Sequence, residues 1–141
     1  MKVEFKRIDH VQLVIPKGAE NKARDFYSGM LGLEEIEKPD SLKSTGGVWL
    51  KIAGVELHLG IDPSQTYSGG MLFQTGASDF KKDSDSFKKE HPAFVIENLE
   101  EVKKYLNQSG VWIKEEVPIP GRKRFSFFDP FGNRIELVEF D

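Results

Sequence analysis

The sequence predicts an α+β fold of two βαβββ modules, each a small curved sheet with a helix behind it. Three features predict it: short segments that alternate apolar and polar residues, two amphipathic helical segments, and landmarks that recur at a near-constant offset. These landmarks lie 81, 78 and 80 positions apart, and they are the pairs His10 and His91, Gly32 and Gly110, and Glu56 and Glu136. Their common order along the chain indicates a duplicated unit.

The duplication divides one predicted domain, 1–141, into three parts. The first module covers 6–60, a connector covers 61–90, and the second module covers 91–141. The connector is rich in Gly, Ser and charged residues and has no clear periodicity. It is interpreted either as a solvated linker or as a flap over a pocket, with an apolar tip formed by Met71, Leu72 and Phe73.

The first module opens with a predicted strand at 7–15, in which Ile8, His10, Gln12 and Val14 share one face and Val11, Leu13 and Ile15 the other. Helical spacing then joins apolar residues from Ala19 to Leu31, and Gly32 ends this helix. Strands are predicted at 33–37, 47–52 and 55–60, with Gly54 in the turn before the last one.

The second module repeats this order. A strand is predicted at 91–97, and Asn98 with Glu101 forms a capping-box pattern for the helix that follows. The apolar stripe of this helix runs from Leu99 to Leu106, and Gly110 closes it. Further strands are predicted at the end of the chain, at 111–116, 123–128 and 134–140, with a turn at 129–133.

Composition excludes several classes of protein. The chain is 38% hydrophobic and 30% charged with a net charge of −3, which is typical of a soluble globular protein and gives no surplus for a phosphate backbone. The absence of Cys excludes disulfides and thiolate metal sites. No apolar run is long enough for a bilayer, and no apolar segment of an export signal follows the charged N-terminus. A cytoplasmic protein with a small-molecule substrate, and with no nucleic acid or membrane partner, is expected.

The polar faces of the predicted strands carry the candidate chemistry. If the apolar faces pack on the helices, the opposite faces must line something else, and they bear His10, Gln12, Glu56, His58, His91 and Glu136. Imidazole and carboxylate groups together suit a divalent ion such as Zn, Ni, Mn, Co or Fe. In the strand at 123–128, Arg124, Ser126 and Phe128 share a face, and a guanidinium there suits an anionic substrate. Trp49 is a candidate wall residue.

Three segments resemble a known family. They are His10-Val-Gln-Leu, Phe26-Tyr-Ser-Gly-Met-Leu-Gly-Leu, and Asp129-Pro-Phe-Gly-Asn-Arg-Ile-Glu-Leu-Val-Glu. With them the chain resembles the glyoxalase I, fosfomycin resistance and extradiol dioxygenase grouping, also called the vicinal oxygen chelate superfamily. The resemblance covers about 6–60 and 90–140. It implies that the two βαβββ modules form a curved mixed-sheet cup, with one divalent metal ion on its floor.

The resemblance also implies a ligand set. Carried over residue by residue, the ligands are His10, His91, Glu136, and Glu56 or His58. Glu56 is preferred to His58 because Val55-Glu56-Leu57 matches Ile135-Glu136-Leu137. The resemblance places Arg124 at a substrate-contacting position and implies a homodimer, because related chains of this length are commonly dimers. Gln12, Ser126, Phe128 and Trp49 complete the predicted substrate-binding residues.

Several activities fit these residues. A metal acting as a Lewis acid, with Glu136 or Glu56 as the base, fits a lyase, an isomerase or a thiol transferase. Two histidines and a carboxylate with Fe(II) fit an extradiol-type dioxygenase. A metal-free protein that binds a small molecule or drug, as the bleomycin-resistance type does, is the alternative without catalysis.

Overall fold

Each half of the chain forms a four-stranded sheet with one main helix. The structure, a computed structural model, describes residues 1–68 and 89–141. It divides into two units, Met1–Ser64 and Gln65–Asp141. Both interpretations of the connector, including the apolar tip at Met71, Leu72 and Phe73, concern a segment that lies mostly outside the described residues.

The first half of the chain contains four strands, here named β1 to β4, and one helix, α1. Their bounds are β1 His10–Lys17, α1 Glu20–Arg24, β2 Glu35–Ile36, β3 Val48–Ile52 and β4 Val55–Thr66. The sheet has the order β1-β4-β3-β2. The bounds differ from the prediction in two places. The strand predicted at 55–60 continues to Thr66, inside the predicted connector. The strand predicted at 7–15 begins only at His10.

The second unit repeats the same succession. It contains β5 Ala93–Val95, α2 Leu99–Gln108, β6 Ile113–Glu115, β7 Arg122–Phe128 and β8 Arg134–Phe140. Its sheet has the order β5-β8-β7-β6, which is the order of the first sheet with each strand replaced by its counterpart. The predicted α+β fold of two βαβββ modules is thus confirmed.

The core of each unit lies between its helix and the apolar face of its sheet. In β1, Leu13 and Ile15 are buried while Gln12 and Val14 are exposed, as the alternation predicts. In β7, Phe125 and Phe127 are fully buried. Because these faces are occupied by apolar packing, the polar residues of the same strands lie on the other faces.

The first helix differs from the prediction in its second half. After α1 the chain continues as a π-helical segment, Asp25–Met30, in which the Leu31 N–H donates to the Phe26 carbonyl five residues earlier. The wider turn leaves Phe26 and Tyr27 adjacent and buried. Gly32 follows with a positive φ of 75°, which fits its predicted role at the helix end. A short 3₁₀ helix, Asp40–Thr45, was not predicted.

The cap of α2 is not the predicted capping box. Asn98 has a φ of 60° and makes no side-chain cap hydrogen bond. Instead, the Glu139 carboxylate at the end of β8 accepts hydrogen bonds from the Asn98 and Leu99 N–H groups, at 3.1 and 3.2 Å. A carboxylate from another element therefore accepts the first free N–H groups at the start of the helix. Its negative charge also interacts favourably with the positive end of the helix dipole.

The turn between β7 and β8 sets the register of these strands. One Asp129 carboxylate oxygen accepts hydrogen bonds from the Phe131 and Asn133 N–H groups, and the other accepts from the Asn133 amide at 2.8 Å. Asp129 and Asn133 are both buried. The resulting hairpin pairs Ser126 directly with Glu136, so this turn positions the polar residues of the second unit.

No helix in the described part of the chain is long and apolar enough to cross a membrane.

Candidate functional site

The polar face of the second sheet gathers His91, Glu136 and Arg124. His91 Nε2 lies 2.9 Å from Glu136 Oε2, and Arg124 Nη1 donates to Glu136 Oε1 at 2.8 Å. Glu136 is in the middle of β8, and Arg124 is on the neighbouring β7. His91 was predicted inside a strand, but it lies two residues before β5. The side chain of Glu136 is only 8% exposed.

Both ring nitrogens of His91 contact an oxygen atom. Nδ1 lies 2.5 Å from the Lys89 carbonyl oxygen. A carbonyl can only accept, so Nδ1 carries a proton and donates it there. Nε2 is the ring atom that faces the Glu136 carboxylate, and it lies 2.9 Å from Oε2. Metal-ligating histidines commonly donate their other ring N–H in this way, so the pair fits a metal ion.

The electrostatics around Glu136 favour its ionised form. Burial raises its pKa, but hydrogen bonds from Arg124 and His91 outweigh burial, and the pKa lies below its usual value of 4.5. Glu136 is therefore a carboxylate at neutral pH. That is the form in which it can bind a cation.

A second polar cluster on this face was not predicted. The Glu116 carboxylate follows β6 and accepts hydrogen bonds from Ser126 Oγ at 2.6 Å, Lys114 Nζ at 3.1 Å and Arg134 Nη2 at 2.5 Å. Arg134 Nε also donates to Ser126 Oγ at 3.2 Å. The alternation of β8 places Arg134 on the face of Glu136, so strand periodicity could have identified the arginine. Glu116 was not singled out, although the predicted strand at 111–116 contains it and the alternation of that strand places it on the face of Lys114.

The predicted substrate-binding residues of the second unit lie on this same face of β7. Ser126 is fully buried, Phe128 is buried, and the Arg124 side chain is 18% exposed. Arg124 also donates from Nε and Nη2 to the Val117 carbonyl oxygen, at 3.2 and 2.9 Å. Arg124 and Ser126 thus contact Glu136 and Glu116 respectively.

Three side-chain rings are stacked in the first unit. His58 lies between Trp49, with ring centroids 3.7 Å apart, and His10, with centroids 4.2 Å apart, and all three rings are nearly parallel. His58 Nε2 is 2.9 Å from Glu56 Oε1, and His10 Nδ1 is 2.9 Å from Asp9 Oδ2. The hydrogen bond from His10 lowers the pKa of Asp9, an exposed residue that the sequence did not identify.

The backbone pairing bears on the choice between Glu56 and His58. The Glu136 N–H donates to the Pro92 carbonyl, and the Glu56 N–H lies 3.4 Å from the Asp9 carbonyl. If Glu56 is matched to Glu136, His10 and His91 fall two residues out of register. If the two histidines are matched, His58 becomes the counterpart of Glu136. The histidine pair and the glutamate pair cannot both occupy equivalent positions in the two sheets. The backbone pairing therefore does not decide between Glu56 and His58 as the fourth ligand.

A pocket of about 310 Å³ lies beside this stack. It is lined by residues of the first unit that include Gln12, Lys38, Thr45, Trp49, His58 and Ile61. The Gln12 side chain lies over Gly60, where a Cβ atom would approach its amide nitrogen to 2.6 Å. Gln12 and Trp49 therefore border a cavity.

The predicted ligands lie in two separate contacts: His10 stacks on His58 in the first unit, and His91 meets Glu136 in the second. Within residues 1–68 and 89–141, no group of three or more His, Cys, Asp or Glu side chains is gathered closely enough to hold a metal ion.

Comparison with known proteins identifies a family and solved structures that are similar to this chain. The family model described as the Glyoxalase/Bleomycin resistance protein/Dioxygenase superfamily matches residues 7–137. A solved glyoxalase family protein from Bacillus anthracis is 35% identical, with 100% of both chains covered and a TM-score of 0.78. One from Enterococcus faecalis is 26% identical, with 96% of this chain and 98% of that chain covered and a TM-score of 0.65.

A more distant structure shares the fold. The fosfomycin resistance protein FosX from Listeria monocytogenes, complexed with Mn(II) and a sulfate ion, is 18% identical. The match covers 98% of this chain and 93% of that chain, with a TM-score of 0.66. The comparison with curated proteins gave no match.

Proposed function

Because this chain belongs to the glyoxalase/bleomycin resistance protein/dioxygenase superfamily, we propose that it is an enzyme that uses one divalent metal ion. Its substrate is a small molecule that is anionic or chelates through adjacent oxygens. The reaction is of the lyase, isomerase or thiol-transferase type. The observation that carries the proposal is the contact of His91 Nε2 with Glu136 Oε2, with Arg124 on the other carboxylate oxygen.

The proposed protein ligands are His10, His91 and Glu136. Both histidines engage Nδ1 with an oxygen, of Asp9 or of Lys89, which leaves Nε2 as the coordinating atom. The metal ion, when bound, polarises substrate oxygens as a Lewis acid. FosX, which shares the fold, was crystallised with Mn(II), and this supports a divalent ion. The same ligand set applies whether a metal ion is bound by one chain or by two copies in the expected homodimer.

Different roles are proposed for the two candidate catalytic carboxylates, Glu136 and Glu56. Both oxygens of Glu136 are engaged and its pKa is lowered, so it is a poor base and a good ligand. Glu56 has one oxygen on His58 and a side chain that is 42% exposed. Glu56 is therefore proposed as the base that removes a proton from substrate carbon, and His58 as the residue that orients it.

Metal titration with matched variants tests this assignment. Isothermal titration of chelator-treated protein with Zn, Ni, Mn, Co and anaerobic Fe(II) is expected to give one site per chain. His91→Ala and Glu136→Gln should each weaken binding at least about tenfold. Glu97→Gln, an exposed carboxylate close to β5, serves as the control and should leave the affinity unchanged.

The Glu56→Gln variant separates binding from catalysis. It is expected to keep the metal affinity and to lose turnover in the assay that the bound metal selects: isomerase or lyase assays for Zn or Ni, thiol addition for Mn, and catechol oxidation for Fe(II). No uptake of any of these ions by the wild type would contradict the proposal. Loss of metal by Glu56→Gln would instead make Glu56 a ligand.

A metal-free binding role is the second candidate, and one observation favours it. Trp49 and His58, two of the three stacked rings, line the pocket of about 310 Å³, and such rings bind planar ligands. If this role is correct, a planar aromatic probe raises the melting temperature and divalent metals do not.

A further inference from the structure

A second cavity of the first unit lies at the turn between β3 and β4. Its volume is about 520 Å³, within the range of about 300–1,000 Å³ that is typical of ligand-binding pockets. It is lined by the hairpin residues 51–56, by residues 32–34 after the first helix, and by Arg7 and Asp9 before β1. All three segments belong to the unit Met1–Ser64.

The turn leaves this cavity open. Two residues, Ala53 and Gly54, join β3 to β4, with φ values of 48° and 79°. Positive φ at both positions is the backbone of a type I′ turn. A Cβ atom at Gly32 or Gly54 would meet no other atom within 4 Å. The residues that bend the chain here therefore carry small side chains or none, and the space beside them is accessible to a ligand.

Side chains of both charge signs line the cavity. Arg7 Nη2 lies 3.4 Å from Asp9 Oδ1, and Lys51 Nζ lies 3.6 Å from Glu34 Oε2. Both distances exceed the length of a charge-assisted hydrogen bond, which is about 2.7–2.9 Å. The four side chains are between 62% and 71% exposed, so these pairs contribute little to stability. Their charges are therefore within reach of a ligand that enters from solvent.

Glu56 adds a third carboxylate to the lining. It is the cross-strand partner of Lys51 in the pairing of β3 with β4, and such partners lie on the same face of a sheet. One Glu56 oxygen is 2.9 Å from His58 Nε2, and His58 lines the pocket of about 310 Å³. Glu56 therefore links this cavity to the stacked rings.

The mixture of charges favours a zwitterion. A purely anionic ligand would meet the carboxylates of Asp9, Glu34 and Glu56, and a purely cationic ligand would meet Arg7 and Lys51. A ligand with one ammonium and one carboxylate group can place each group opposite unlike charges. A guanidinium also binds a carboxylate through two parallel hydrogen bonds. A free α-amino acid has this pair of groups.

We propose that the cavity binds the α-ammonium and α-carboxylate groups of an amino acid or of a small amino acid derivative. Arg7 and Lys51 bind its carboxylate, and Asp9 and Glu34 bind its ammonium group. The bound molecule lies beside Glu56. That it is a substrate or co-substrate rests on the proposed function, whereas its binding does not.

Three probes of matched shape test the site. L-Glutamine carries both charged groups, 4-carbamoylbutanoate lacks the ammonium, and 4-aminobutanamide lacks the carboxylate. Each is titrated into metal-free protein at constant ionic strength while the backbone amide resonances are followed. L-Glutamine should bind at least about tenfold more tightly than either analogue, because each analogue loses one set of charge-assisted contacts. The amides of Leu33 and Gly54 should shift, and that of Gly121 in the second unit should not.

Charge-neutralising variants assign the two ends of the ligand. Lys51→Gln should weaken L-glutamine binding roughly fivefold, as loss of an exposed charge pair allows, without weakening the binding of 4-aminobutanamide. Glu34→Gln should weaken L-glutamine binding to a similar extent without weakening that of 4-carbamoylbutanoate. Lys104→Gln, which changes an exposed lysine of the second unit, is the matched control and should behave as the wild type.

The outcomes that would overturn the proposal are distinct. They are an absence of saturable L-glutamine binding to the wild type, equal affinity for all three probes, and shifts confined to the second unit. The substituted side chains are exposed, so the variants should fold, and thermal unfolding checks this. Because all these samples lack metal, their outcome is independent of the metal titration of His91→Ala.

Discussion

Glu136 divides its two carboxylate oxygens between different partners. One oxygen accepts from the Arg124 guanidinium and the other faces the His91 ring. A buried carboxylate without such donors would become neutral, whereas here the donors keep it charged. A single residue thus connects β7, β8 and the segment before β5 within the second unit.

This arrangement predicts a pH-dependent contribution to stability. The pKa of Glu136 in the folded protein lies below 4.5, so its stabilising effect is complete above about pH 4.5 and is lost as the pH falls through the folded value. At pH 7, Glu136→Gln should lower the free energy of unfolding by roughly 2 kcal/mol. Urea denaturation of metal-free protein at pH 7 and pH 3 measures the difference.

The difference between the wild type and Glu136→Gln should shrink at pH 3. The Glu97→Gln control should match the wild type at both pH values, since Glu97 is exposed. A difference between the wild type and Glu136→Gln that is the same at both pH values would contradict the account.

The residues that the sequence could and could not predict differ in a simple physical respect. Arg124, Ser126 and Glu136 lie inside paired strands, where the alternation of side chains places them on one face. Asp9 and Glu116 lie inside the predicted strands 7–15 and 111–116 but just outside the observed β1 and β6. Neither was singled out, because alternation alone does not show which carboxylates contact the site residues. Which of Glu56 and His58 completes the ligand set likewise depends on strand register, which no residue pattern fixes here.

At the scale of secondary structure, the N-terminus of α2 depends on a residue 40 positions later. Glu139 accepts from the Leu99 and Asn98 N–H groups, whereas neither Asn98 nor Glu101 forms the predicted capping box. The sequence could not predict this cap, because it arises from the packing of α2 against β8 rather than from neighbouring residues.

Substitution of the cap tests this description. Glu139→Ala should lower the free energy of unfolding by about 1 kcal/mol, because two helix donors lose their acceptor. Glu101→Ala should change it much less, since Glu101 is exposed. Urea denaturation of both variants provides the measurement. A larger loss for Glu101→Ala than for Glu139→Ala would restore the capping box.

At the scale of the whole molecule, the duplication explains how much of the fold could be predicted. Matching landmarks such as Gly32 and Gly110 predict two units of equal element order, and the two sheets have equivalent strand orders. The lengths of individual strands were less predictable, because β2 has two residues and β4 has twelve. The length of a strand depends on the neighbours available for pairing.

The histidines that open the two units, His10 and His91, make a similar contact. His10 and His91 both engage Nδ1 with an oxygen and direct Nε2 elsewhere. The surroundings differ, since Nε2 of His91 faces a carboxylate while the ring of His10 stacks on another histidine. The proposed metal ligation through Nε2 therefore concerns two histidines in different surroundings.

Side-chain ¹⁵N spectra of the histidines during a Zn titration test this central claim most directly. The account predicts that the Nε2 resonances of His91 and His10 shift on saturation with Zn, while Nδ1 of His91 stays protonated on the Lys89 carbonyl oxygen. Nε2 resonances that stay unchanged at saturating Zn, or a shift confined to the Nδ1 atoms, would contradict it.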